Sequence, residues 1–408
     1  MRVLIFKMQG IAYNSTRVFA DILSKSFKRL NVEVEIFDIK KQSINDLEKL
    51  KANCYDAIID FNSKLSDLVV DDEDGKEKYF LDTINAPFYN YIVDHPVYHH
   101  KYLNHKLKNY NVICVDESHA EYIRHFYSHI KNVITAPLGA ISANDIISFY
   151  NKVALDEYNI KQVDTQRENS ILFMGTYLNP NSYYEVINNL PKDMSEGIKN
   201  VIDIMKSDNN ITFEKAIKQY IHTNNNDYKL IYENDIKKAS VYNTMFFMAD
   251  IYIRAYIREN VLDEFAKSGV NLVVYGEKYN ESPIAKYKNV KIMPQVSYIE
   301  SILKMTKYKY VLNIMPNFKA GIHDRVVNAM INKAVCISDG STLMDKYFEK
   351  NKDYIYYNPV DTNSIKQVAE LVKNGSIACK DIAQNGYSKA INLTVDNIAT
   401  KIIANLSR

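Results

Sequence analysis

Three strongly polar residues, His323, Asp324 and Arg325, stand together at the head of an otherwise apolar stretch, 320-AGIHDRVVNAMINKAVCISDG-340. A helix beginning at His323 or Asp324 leaves its first backbone N–H groups without helical partners, and such a terminus is a ready site for a phosphate. Arg325 could add a bidentate, charge-assisted contact to the same phosphate. Asn328 follows Asp324 by one turn on the same face, where its amide could reach a ribose hydroxyl. Lys319 and Gly321 lie in the loop that leads into this helix. The local sequence also allows a plainer arrangement, an Asp N-cap followed by a solvated arginine.

A second concentration of chemistry is 94-DHPVYHHKYLNH-105, and seven of the nine histidines fall between 95 and 129. His95 and His99 are four apart, as metal ligands on a helix would be, but the adjacent His99 and His100 must point apart there. No glutamate completes an H-E-x-x-H pattern. Either these imidazoles cap and coat helices, or Asp94 and His95, directly after a strand, face a cleft between domains. There they could orient or deprotonate an acceptor hydroxyl, a task for a group that titrates near neutrality. Pro96 holds the preceding residue extended, which suits a side chain projected from a strand end.

These residues need a scaffold, and the hydrophobic pattern supplies one. Short apolar runs rich in β-branched residues alternate with helix-period segments, the signature of parallel βαβ units. The first series covers 2–8, 32–39, 55–61, 90–94, 111–117 and 132–138; the second covers 169–175, 271–276, 290–295, 308–316, 334–339 and 354–359. Two series predict two Rossmann-like doubly wound α/β domains, over 1–140 and 169–390, joined by a polar connector at 141–168. The long helical stretch between NSILFMG and NLVVYG exceeds a normal crossover, so a helical insertion at about 181–266 belongs to the second domain. The final helix, 391–408, could return to the first domain.

In such sheets ligands bind outside the carboxyl ends of the strands. That adds Gly175, Gly276 and Glu277 to the candidates, with Tyr298 in 294-PQVSYIE-300 able to stack on a base and Gly10 able to admit a close backbone approach. Neither G-x-G-x-x-G nor G-x-x-x-x-G-K-[ST] is present, which argues against dinucleotide and P-loop chemistry. Lys and Arg (51) nearly balance Asp and Glu (49), for a formal net charge of +2, so no overall field invites nucleic acid and an anionic ligand must be held locally. Four isolated cysteines and the lack of a 20-residue apolar run predict a soluble, cytoplasmic protein with reduced thiols and no transmembrane segment.

The run 308-YKYVLNIMPNFKAGIHDRVVNAMINKAVCISDGSTLMDKYFEKNKDYIYYNPVDTNSI-365 resembles the nucleotide-binding segment of bacterial GT-B glycosyltransferases of group 1 type, specifically the spore-maturation-protein-like family. ILFMG with Gly175 and VVYG with Gly276 resemble the matching donor-domain loops. The resemblance implies a GT-B fold and a metal-independent, retaining transfer from a UDP- or GDP-type nucleotide-sugar to a hydroxyl of a glycan, protein or lipid. It implies no other cofactor. Three positions depart from the family pattern: Asn328 replaces the Glu before Ala-Met, Lys333 replaces a Gly, and Ala320 stands where the wider retaining group carries an acid. The alternative is therefore a non-catalytic GT-B-shaped subunit with an eroded donor site. In either case the insertion could serve a homo-oligomer or a partner.

Overall fold

The computed structural model describes residues 1–8, 15–62, 64–71, 74–150, 167–224, 226–316, 318–375 and 378–406. The chain divides into two units, Met1–Gly139 with Thr394–Arg408, and Ala140–Leu393.

The first unit is built on a six-stranded parallel sheet in the order β2-β1-β3-β6-β7-β8. Its strands are β1 (Arg2–Lys7), β2 (Glu33–Asp38), β3 (Ala57–Phe61), β6 (Phe88–Ile92), β7 (Tyr110–Cys114) and β8 (Asn132–Thr135). The runs AIIDF, FYNYI and YNVIC are buried at every position, as strands covered on both faces must be. A short antiparallel pair, β4 (Val69–Asp71) and β5 (Glu77–Tyr79), interrupts the alternation. The helices are α1 (Ser15–Arg29), α2 (Ile44–Leu50), α3 (His100–Leu103) and α4 (Glu117–Phe126). The last helix of the chain, Val395–Leu406, also belongs here: Asp396 accepts hydrogen bonds from Ser26 Oγ and from Arg29 Nη2 at 2.7 Å. Close packing of this helix needs Gly139, where a Cβ would stand 2.5 Å from the backbone of Val395.

The second unit is also built on a six-stranded parallel sheet, in the different order β11-β10-β9-β12-β13-β14. Its strands are β9 (Glu168–Met174), β10 (Leu272–Tyr275), β11 (Val290–Met293), β12 (Tyr308–Asn313), β13 (Val335–Ser338) and β14 (Ile355–Tyr356). Of the connector 141–168, residues 151–166 lie outside the described residues; helix α5 (Ala143–Phe149) ahead of them is part of the second unit. Between β9 and β10 run six helices: α6 (Pro180–Asn188), α7 (Lys192–Ser207), α8 (Phe213–Asn224), α9 (Asn226–Asn234), α10 (Ile236–Met245) and α11 (Phe247–Lys267). Then come α12 (Tyr298–Met305), α13 (Asp324–Ile331), α14 (Met344–Tyr347), α15 (Thr362–Lys373) and α16 (Ala378–Ala390). The chain breaks at Ile391–Leu393 between its last two helices, so α16 stays with the second unit and Val395–Leu406 (α17) with the first.

Candidate functional site

In the second sheet β9 is flanked by β10 and β12, so the strand order reverses beside β9 and a crevice opens past the carboxyl ends of β9 and β12. Arg325, in the first turn of α13, lies in that crevice. Its Nη2 donates to Met174 O (2.8 Å) at the end of β9, and its Nη1 donates to Asn313 Oδ1 (3.1 Å) at the end of β12. The guanidinium also sits 5.4 Å from the centroid of the Phe173 ring. Asn313 is fully buried and held in turn, donating to Ser338 Oγ at 3.0 Å and accepting at its carbonyl from Tyr357 at 2.9 Å. Burial pulls the Arg325 titration down while Asp324 pushes it up; the group remains a cation at any ordinary pH.

The start of α13 is organised by its own residues. His323 is the N-cap, its Nδ1 accepting from Arg325 N at 3.1 Å, and the same nitrogen lies 2.9 Å from Asp324 Oδ1. A neutral ring can cap the helix through that atom, whereas a protonated ring donates to Asp324. Asp324 Oδ2 accepts from the Tyr298 hydroxyl (2.7 Å) and from Asn328 Nδ2 (3.3 Å). Burial opposes ionisation of this carboxyl, but the charge and hydrogen bond of His323, the Tyr298 hydroxyl and Arg325 outweigh it and hold Asp324 at about 2. Burial and the neighbouring Asp324 keep the Tyr298 phenol neutral, far above its ordinary range.

Asn328 does not offer its amide to an open face. The residue is fully buried; Nδ2 donates to the Tyr298 hydroxyl at 3.0 Å and Oδ1 accepts from Ile141 N at 2.9 Å. One turn on, Asn332 accepts from Ala143 N (2.8 Å) and donates to Ile141 O (3.2 Å). The two asparagines pin residues 141–143 against α13, which corrects the ribose-contact role that spacing alone suggests for Asn328.

The remaining candidates cluster around the same crevice. A Cβ on Gly276 would meet Gly175 O at 1.9 Å, so only glycine permits the two loops to touch. Tyr177 N donates to Glu277 O (3.1 Å), extending the contact, while the Glu277 side chain is exposed. Tyr298 presents a half-exposed ring with its hydroxyl turned inward. Lys319 does not point freely at a ligand: its Nζ donates to Asn209 O, in the turn between α7 and α8. Gly321 is buried and its carbonyl accepts from Ser341 Oγ at 2.5 Å. Gly10 lies outside the described residues. Strand-end reasoning missed Arg258, on α11, whose Nη1 donates to Thr176 O at 2.9 Å and whose guanidinium lies 5.7 Å from the Phe173 centroid. Its distance from any strand in sequence hid it.

In the first unit, Asp94 Oδ2 accepts from Asn62 Nδ2 at 3.0 Å, and Asn62 also accepts from Val93 N at 3.0 Å. His95 is buried; its Nδ1 accepts from Val97 N at 3.1 Å, and its ring meets His119 (4.7 Å) and Tyr122 (5.3 Å) edge-on. Burial lowers the titration of His99, only partly offset by Asp94, so it packs as a neutral ring. Among the described residues no group of three or more His, Cys, Asp or Glu is placed to hold a metal ion.

A family model described as "Glycosyl transferase-like" matches residues 254–404. Among solved structures, Anabaena HepE in complex with UDP and glucose aligns with 100% of this chain and 99% of its own, at 10% identity and a TM-score of 0.55. An α-glucosyltransferase in complex with UDP-glucose and DNA containing an abasic site aligns with 100% of both chains at 11% identity and a TM-score of 0.54. Sucrose-phosphate synthase from Thermosynechococcus elongatus covers 100% of this chain and 98% of its own, at 9% identity and a TM-score of 0.54. The fold is GT-B. At these identities the alignments speak to fold, and the glycosyl transferase-like match marks an enzyme segment that runs from α11 through the second unit into the last helix, α17. No curated protein matches the chain.

Within this GT-B frame the departures at Asn328 and Lys333 gain physical reasons. A glutamate at 328 would set a second carboxylate against Asp324 and leave Asp324 and the Tyr298 hydroxyl without the amide that bridges them. Lys333 has φ +57°, the left-handed conformation that glycine adopts with least strain, and it ends α13 where a glycine would. Nothing in the structure explains Ala320. No helix among the described residues is long and apolar enough to cross a membrane.

Proposed function

We propose that the protein transfers a sugar from a nucleotide-sugar to an acceptor hydroxyl on a glycan, protein or lipid, retaining the anomeric configuration. The observation that carries this reading is Arg325, itself inside the glycosyl transferase-like segment, a guanidinium set by Met174 O and Asn313 at the switch point of the second sheet. A guanidinium has five N–H donors, and these two bonds leave others for a diphosphate. Together with the first N–H groups of α13 it would stabilise the departing diphosphate electrostatically, a role that requires no metal ion. Gly175 and Gly276 would let the loops approach the donor, Glu277 would accept from a ribose or base, and the Tyr298 ring would face the base. Lys319 would shape the loop before α13 from its tie to Asn209, with Asp324 and Asn328 acting as positioning residues. Asp94, steadied by Asn62, would orient or deprotonate the acceptor, with His95 fixing the turn that presents it.

UDP and UDP-glucose stand in the structural neighbours, which makes a uridine donor the first to test. We place the protein in the cytoplasm and within the spore-maturation-protein-like branch, with the exposed Leu230, Ile236 and Val241 of the insertion as a surface for a partner or a second copy. A non-catalytic subunit is the second reading, favoured by Ala320 and by the inward commitment of Asn328. Thermal unfolding against UDP, GDP, CMP, ADP and their sugar conjugates, with and without EDTA, separates the two. A nucleotide at about 100 times its Kd adds roughly 2.7 kcal/mol of stability. A selective shift insensitive to EDTA, followed by turnover of the matching nucleotide-sugar, is expected; curves unmoved by every nucleotide would overturn the transferase reading.

A further inference from the structure

The donor crevice contains two arginines, and only one comes from the helix that opens it. Arg325 donates to Met174 O and Arg258 donates to Thr176 O, carbonyls two residues apart where β9 runs into its loop. Both guanidiniums lie against one ring, Phe173, at 5.4 and 5.7 Å from its centroid. Gly175 lies between the two anchoring carbonyls, and a methyl added there would stand 3.7 Å from Arg258 Nη1. The loop is also fixed from the α11 side, because the Tyr177 hydroxyl donates to Glu259, the next residue after Arg258.

Two cations brought to one aromatic ring repel each other, and the ring quadrupole offsets only part of that cost. An anion carrying charge on two adjacent centres would relieve it, and guanidiniums are suited to phosphate oxygens by geometry as well as charge. We propose that Arg258 is the second guanidinium of a diphosphate clamp, supplied by the last helix of the insertion and paired with Arg325 across Phe173. The inference rests on the nucleotide-sugar reading and deepens it: the insertion is part of the donor site. The glycosyl transferase-like match begins at residue 254 and so takes in Arg258 while leaving out the five earlier helices of the insertion.

The test uses the full-length protein and calorimetric titration with UDP, UMP, inorganic pyrophosphate and inorganic phosphate, on wild type, Arg258→Ala and Arg258→Lys. Wild type should prefer UDP to UMP and pyrophosphate to phosphate. In Arg258→Ala both preferences should fall roughly 10- to 100-fold, as loss of a charge-assisted contact predicts, with UMP affinity nearly unchanged. Arg258→Lys should recover part of the preference, since it keeps the charge and loses the fork. Equal loss of UDP and UMP, or a UDP affinity untouched in Arg258→Ala, would overturn the clamp while leaving the donor reading standing. Should Arg258→Ala fail to fold, Arg258→Lys alone decides, because an undiminished diphosphate preference there excludes a bidentate role. Wild-type protein that binds none of these probes would remove the donor reading and the clamp together.

Discussion

The two units are both six-stranded parallel sheets, though of different strand order, and each brings an arginine to the carboxyl end of its first strand, yet they treat that arginine in opposite ways. In the first unit Arg17 reaches the carboxyl end of β1, donating to Lys7 O and Met8 O, but its Nη2 also donates to both oxygens of Asp38, at 2.7 and 2.8 Å. Lys7 beside it is paired with Asp21 at 2.6 Å. Charge at that strand end is cancelled inside the protein. In the second unit Arg325 is oriented by a carbonyl and an amide oxygen, both neutral, so its charge is aimed but not consumed. A doubly wound sheet therefore offers a crevice, and the acceptors around its arginine decide whether the crevice is a ligand site.

The largest effects come from removing each arginine. Arg17→Ala strips a buried carboxylate of its partner, with Lys7 4.0 Å away as partial relief, and should cost about 3 kcal/mol in urea unfolding while leaving nucleotide affinity alone. Arg325→Ala should do the reverse: a loss of about 1 kcal/mol in stability and a roughly 100-fold fall in diphosphate affinity. If Arg17→Ala abolished nucleotide binding at unchanged stability, the contrast between the units would collapse.

A smaller effect concerns Asp324. Its carboxyl is ionised down to about 2 in the folded chain, against an unfolded value near 4. A depressed carboxyl contributes stability that is present above the unfolded value and is lost as pH falls through the folded one. Asp324→Asn should therefore be destabilised by about 2 kcal/mol relative to wild type at pH 7, and the gap should close between about pH 4 and pH 2. A gap that persists at pH 2 would mean that the Tyr298 and Asn328 hydrogen bonds, rather than the charge, hold the start of α13.

How much of this can be read from sequence depends on how far apart the partners lie. The βαβ alternation and the apolar runs place both six-stranded sheets, since each strand carries its own signal, whereas the short polar strands β4 and β5 carry almost none. Arg325 is legible because the strand, the loop and the helix cap that position it are contiguous. Asn328 is not: its acceptor faces Ile141, 187 positions away, and no local pattern announces that pairing. Arg258 lies inside a helical insertion, where strand-end reasoning does not look, and only the folded loop at Thr176 brings it to the crevice. The Pro-fixed turn at His95 is visible in sequence, but its packing on His119 and Tyr122 requires the tertiary fold.

The smallest effect sharpens the comparison at the helix ends. After α1, Asn31 takes φ +61° and Val32 N returns to Phe27 O at 3.0 Å; after α13, Lys333 takes φ +57° and Ala334 N returns to Ala329 O at 2.9 Å. Both are left-handed terminations with the same six-to-one hydrogen bond. Asparagine enters the left-handed region readily, whereas a lysine there pays roughly 1–2 kcal/mol against its Cβ. Glycine removes that strain but loses more backbone entropy on folding, and Lys333 also gives up its position 4.8 Å from the Tyr387 ring. Lys333→Gly should therefore gain about 0.5 kcal/mol in chemical unfolding and Asn31→Gly about zero. Equal gains at both sites would show that Lys333 is as much at ease in its turn as Asn31, so the departure from glycine at the end of α13 would carry no cost.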